Sequence, residues 1–133
     1  MIEVRFEARA GVTASWVRRV VQKTLLAEKS AVRSLSVLVT GDRRIRRINK
    51  QFLKHDYATD VISFGLNEKN TLGEVVVSVD TARRVSKDLK IPFREELARY
   101  LVHGTLHLLG HDDRKKKDFE KMHYRQEKIL NSL

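Results

Sequence analysis

Four short stretches with strand character, set between segments of helical periodicity, limit most tightly how this chain can fold. Ile2, Val4, Phe6 and Ala8 alternate with polar residues, and so do Leu35, Val37 and Val39. Strict alternation puts one set of side chains on one face of a sheet. Residues 60–64 and 74–79 form two further β-branched runs, with a turn expected over residues 67–71. The intervening segments repeat every three to four residues. Thr13 or Ser15 can cap a helix whose inward stripe is Val17, Val20, Val21, Thr24 and Leu25. Gly41 and Asp42 open a second helix with Ile45, Ile48 and Phe52 inward and Arg43, Arg44, Arg46, Arg47 and Lys50 outward. Asp80 caps a third, with Ala82, Val85 and Leu89 inward, and Ile91 and Pro92 break it. Residues 94–109 form the most apolar helix. A charged helix follows over residues 113–130, with Phe119, Met122 and Ile129 on its buried side. Four strands and about five helices interleave without a strict βαβ order. The expected fold is therefore a single α+β domain: a four-stranded mixed sheet covered by helices.

Composition narrows the class of protein. With 133 residues there is room for one domain, and 41% apolar residues suffice for its core. No window approaches the ~20 uninterrupted apolar residues of a membrane span. Glu3, Arg5 and Glu7 interrupt the start of the chain where a signal peptide would be apolar, so a cytoplasmic protein is expected. There is no cysteine, which removes disulfides and thiolate ligands. Twenty-seven basic against 17 acidic residues give a net charge of +10, suited to a polyanionic partner.

The chemistry is concentrated in His103-Gly-Thr-Leu-His107-Leu-Leu-Gly110-His-Asp-Asp113. Histidines four apart on a helix project from one face, about one turn from each other, and can share an ion at ~2.0–2.1 Å. Gly110 stands where a helix ends in a left-handed residue, and the reversal can return His111, Asp112 or Asp113 as a third ligand. Three protein ligands and an open position make the catalytic form of a zinc site. A lone histidine pair arises often by chance; the glycine and acidic residues at fixed offsets lift this one above that background. His55 and His123 lie outside the cluster and read as surface residues. The spacing also resembles that of metzincin metallopeptidases, which carry a glutamate base directly after the first histidine. Here that position is Gly104, which cannot take a proton.

Beyond spacing, the segment resembles the signature H-G-x-L-H-L-x-G-[Y/H]-D-H of the YbeY family of bacterial endoribonucleases and ribosomal RNA maturation factors. The matching residues are His103, Gly104, Leu106, His107, Leu108, Gly110, His111 and Asp112. A second family landmark, N-x-x-[YF]-R-x-K-D-x-P-T-D-V-L-S-F, is matched by Asn49, Phe52, Asp56, Thr59, Asp60, Val61, Ser63 and Phe64. Leu72-Gly73-Glu74 corresponds to a Leu-Gly-Asp/Glu strand between them. The resemblance implies an α+β domain over residues 1–133 and one bound zinc, or another divalent ion. It implies single-strand-specific RNA cleavage in 16S ribosomal RNA 3′-end maturation and ribosome quality control, in the cytoplasm, with RNA and the ribosome as partners rather than DNA or membrane. It places His103 and His107 at the reaction centre, and His103, His107 and Asp113 on the metal. A non-catalytic assembly factor, its metal a staple for the C-terminal region, is the reading outside enzymology. The chain departs from the family pattern at three places. Asp113 replaces the usual third histidine, Leu53 an arginine thought to serve RNA, and His55 and Ala58 a lysine and a proline.

Overall fold

The computed structural model describes residues 1–133, apart from the side chain of Asn67. Its elements in order are β1 (Ile2–Phe6), α1 (Ala14–Ala27), β2 (Leu35–Thr40), α2 (Asp42–Leu53), β3 (Val61–Glu68), β4 (Thr71–Ser78), α3 (Val79–Leu89), α4 (Phe93–Leu108) and α5 (Lys116–Asn131). The four strands form one sheet in the order β1-β2-β4-β3. β1 and β4 both run parallel to β2, and β3 pairs antiparallel with β4. The sheet is mixed, as expected, and β3 is an edge strand.

Alternation along the strands sorts the core into two layers. Val37, Val39, Val75 and Val77 face α1, α3, α4 and α5, while Leu38, Ile62 and Val76 face Ile45 and Ile48 of α2. α4 is buried almost all round, from Leu97 through Tyr100, Leu101 and Val102 to Leu106, and forms the spine of the larger layer. Burying seven valine, leucine or isoleucine side chains from the two central strands contributes on the order of 1.5–3 kcal/mol each.

Local signals place the helix starts. The Thr13 hydroxyl accepts from Trp16 N–H at 3.1 Å and caps α1. Ser78, not Asp80, caps α3. Asp80 instead accepts the Asp42 N–H at 2.8 Å at the start of α2, and Asp42 accepts from Ser78, Thr81 and Arg84 in return. The cap expected within α3 thus serves its neighbour. Three side chains expected on buried faces are about half exposed or more: Phe52, Leu89 and Phe119. Phe52 and Leu89 sit in the last turns of their helices, and Phe52 meets Phe64 of β3 edge-on at 5.6 Å. Phe6 likewise stays exposed at the end of the edge strand β1. No helix among the described residues is long and apolar enough to cross a membrane.

Candidate metal centre

The last turn of α4 brings the cluster together. Leu109 ends the helix and Gly110 follows with φ +97°. The Gly110 N–H donates to the His107 carbonyl at 3.0 Å and the His111 N–H to the Leu106 carbonyl at 3.1 Å. These are the two bonds of a Schellman closure, which needs a residue tolerant of positive φ. The chain turns back along the helix and sets Asp113 beside the histidine pair. His103 Nε2 lies 3.1 Å from His107 Nε2, and Asp113 Oδ2 lies 3.3 Å from His107 Nε2 and 3.7 Å from His103 Nε2. Ligands at ~2.0–2.1 Å around a tetrahedral ion are about 3.3 Å apart, so this triangle has the size of a three-ligand face. His103, His107 and Asp113 are the one group of this kind among the described residues.

Tautomers follow from the neighbours. The His111 carbonyl, 3.0 Å from His107 Nδ1, can only accept, so Nδ1 of His107 carries the proton and Nε2 presents its lone pair. Gln126 does the same for His103. Its Nε2 donates to Glu127 at 3.0 Å, which turns Oε1 toward His103 Nδ1 at 2.7 Å. Arg99 holds Glu127 in place through two nitrogens, at 3.0 and 3.1 Å, and keeps its carboxyl below the usual range. Both imidazoles are thus aimed by hydrogen bonds from their far side, as ligating histidines usually are. Burial pushes the His103 pKa down, favouring the neutral, ligating form.

Pairing distinguishes the three residues after Gly110. His111 donates from Nε2 to Glu28 Oε1 at 2.6 Å, at the end of α1. Glu28 also binds Arg125 of α5, and its carboxyl stays below the usual range: burial opposes ionisation, but the Arg125 and His111 hydrogen bonds outweigh it. Asp112 is drawn to Arg114, whose hydrogen bonds lower its carboxyl to about 2. Asp113 alone of the three faces the histidines. Asp113→Ala is accordingly expected to weaken metal binding by well over tenfold. His111→Ala, which keeps the orienting carbonyl, should cost far less, and Asp113→His should retain the ion. Chelator competition on the three variants measures this; loss of metal from His111→Ala with Asp113→Ala intact would reverse the assignment.

Gly104 explains why the peptidase reading does not apply. A Cβ at this position would lie 2.6 Å from Val75 Cγ1, 3.0 Å from Val61 Cγ2 and 3.1 Å from Ser63 Oγ. The position faces the sheet rather than the cluster, and Ser63 donates to the Gly104 carbonyl at 2.8 Å. A glutamate there has neither space nor access to a substrate.

A cleft of about 510 Å³ opens in front of the cluster, between His103, His107 and Asp113 and the edge strand from Asp60 to Gly65. Leu53 lines it at the end of α2, so the departure from the family's arginine falls on the cleft wall. Lys54 ends the helix with φ +63° and is not among the lining residues. The basic face of α2 lies across the sheet from α4, reaching the cleft only through this last turn. Gln126 and Glu28 escape sequence analysis, although Gln126 carried a signal: it interrupts the buried stripe of α5 between Met122 and Ile129. Glu28 carried none, being 83 residues from the histidine it holds.

Fold and site together define a small α+β protein with a helix-borne two-histidine, one-carboxylate centre facing an edge-strand cleft. Residues 4–133 match the family model described as Endoribonuclease YbeY. The chain belongs to that family. It is 36% identical over 130 residues to Endoribonuclease YbeY of Salinibacter ruber, covering 90% of this chain and 83% of that one. With Endoribonuclease YbeY of Porphyromonas gingivalis it shares 37% over 139 residues, covering 100% and 91%. Its fold is similar to the solution structure of TM1509 from Thermotoga maritima, with TM-score 0.69 and 26% identity over 99% of this chain and 91% of that one.

Proposed function

We propose that this protein is a metal-dependent endoribonuclease that cuts single-stranded RNA in ribosomal RNA processing, including 16S 3′-end maturation, and in ribosome quality control. The triangle of His103, His107 and Asp113 at the head of the cleft carries this reading. The names of its relatives support it. Residues 1–133 form one such domain, a reading supported by the family match across residues 4–133. We take zinc as the ion, since two imidazoles and one carboxylate suit it. Bound there, a divalent ion supplies Lewis acidity to a water and to a phosphate oxygen. His103 and His107 offer lone pairs fixed by Gln126 and the His111 carbonyl. Asp113 contributes negative charge and leaves the cleft side open. The setting that goes with this substrate is the cytoplasm, beside the ribosome.

Incubation with single-stranded and duplex RNA, with and without chelator, tests the proposal. Cleavage of the single strand alone, lost on chelation and restored by added metal, is the expected result. Intact RNA with digested casein would favour a peptidase, and neither activity would favour an assembly factor.

Charge should supply most of the affinity. On α2, Arg46 is held by Asp56 at 2.9 Å and Arg44 by Glu7 at 3.5 Å, while Arg43 and Arg47 form no ion pair among the described residues. Each phosphate contact contributes about −0.7 to the slope of log affinity against log salt. Replacing Arg43, Arg46 and Arg47 by alanine is expected to flatten that slope by up to about 2 while metal content stays unchanged. Arg43 lies roughly 15 Å along the helix from Leu53, so an unchanged slope would confine the RNA to the cleft side of the sheet.

A further inference from the structure

The metal ligands border a second, smaller cavity. On the side away from the edge strand, His103 and Asp113 share a space of about 120 Å³ with Phe119, Met122, His123 and Gln126 of α5. This is far below the ~300–1,000 Å³ of ordinary ligand pockets and takes a single flat ring. Phe119 is 49% exposed, and its ring lies nearly parallel to that of His123, with centroids 5.9 Å apart and planes inclined by 14°. An exposed phenylalanine on an amphipathic helix is ordinarily the fringe of the core. This one is stacked on a second aromatic ring beside two metal ligands. Lys116, one turn before Phe119 on the same side of α5, is exposed and forms no ion pair among the described residues. A flat face beside a free cation and a cluster of basic and metal-ligating groups matches one ligand chemistry above others: an unpaired base on a phosphate backbone. The other exposed stacked pair, His55 and Tyr57, lines neither cavity that the ligands border.

We propose that Phe119, backed by His123, is a stacking shelf for an unpaired nucleobase next to the phosphate held at the metal cluster. This rests on the endoribonuclease reading and gives it a physical basis for single-strand selectivity. In a duplex each base is covered on both faces by its neighbours and has none to offer the shelf. Phosphate contacts alone would not discriminate between single and double strands in this way.

The test uses the metal-loaded protein and short 2′-O-methyl RNA oligomers with one abasic site moved along the strand, read by fluorescence anisotropy. Stacking of one base is worth about tenfold in affinity, within a wider range. Wild-type protein should lose about tenfold when the abasic site reaches one position. Phe119→Ala should lose the same factor on the intact oligomer and become indifferent to that abasic position. Phe119→Trp should restore both affinity and sensitivity. Metal content and melting temperature, unchanged in both variants, separate this from a structural effect. If Phe119→Ala binds intact RNA as well as wild type does, or still senses the abasic site, the shelf is overturned while RNA cleavage by the wild type upholds the endoribonuclease reading. Wild-type protein that neither binds nor cleaves single-stranded RNA overturns both.

Discussion

Replacing His103 or His107 by alanine is expected to abolish stoichiometric metal in the purified protein. Each replacement leaves two of the three proposed ligands, and the remaining imidazole loses the partner 3.1 Å away that would share its ion. Changes to groups that merely orient ligands cost about 10–100-fold in affinity, so loss of a ligand itself should exceed 100-fold. Gln126→Ala supplies the comparison, since it removes the acceptor fixing His103 Nδ1 and should fall within that 10–100-fold window. Elemental analysis with chelator competition ranks all three. Full metal content in the double histidine variant would disprove the site.

Gly104→Ala should destabilise the protein markedly for a change of one carbon on a helix. Exchanging glycine for alanine inside a helix ordinarily gains about 1 kcal/mol. Here the new methyl would meet Val75, which is fully buried, and Val61, both β-branched side chains with little freedom to yield. Overpacking of this kind costs about 1–3 kcal/mol or more, and pushing α4 away also strains the Ser63 bond to the Gly104 carbonyl. The strain outweighs the propensity gain, and a net loss on the order of 2 kcal/mol is expected. Thermal denaturation of the metal-free protein should show it as a fall of roughly 5–10 °C. An unchanged or higher melting temperature would mean that α4 does not seat on β3 and β4 as described.

Much of this architecture was legible because short-range rules suffice for it. The α1 stripe from Val17 to Leu25, the alternation of Leu35, Val37 and Val39 and the reversal at Gly110 each depend on a few neighbouring residues. The histidine pair was legible for the same reason, since a helix fixes the relation of residues four apart. What escaped depends on placement in space. Phe52, Leu89 and Phe119 follow the helical period but stay largely exposed at the margins of the core. Asp80 has the chemistry of a cap, yet its acceptor is used by a helix 38 residues away. The third ligand was left open among three candidates by the residues themselves. Glu28 and Arg114 withdraw two of them, and Glu28 belongs to the far end of α1.

The pairing of Glu28 with His111 and Arg125 bears on what the final helix does for the centre. His103, His107 and Asp113, the three proposed ligands, all precede Arg125 and Gln126 in the chain, which belong to α5. Without α5, His107 keeps its orienting His111 carbonyl, but His103 loses Gln126 and the Glu28–His111 pair loses Arg125. Helix α5 therefore completes the centre rather than merely covering it: the imidazoles share one aim only once that helix has docked on α4.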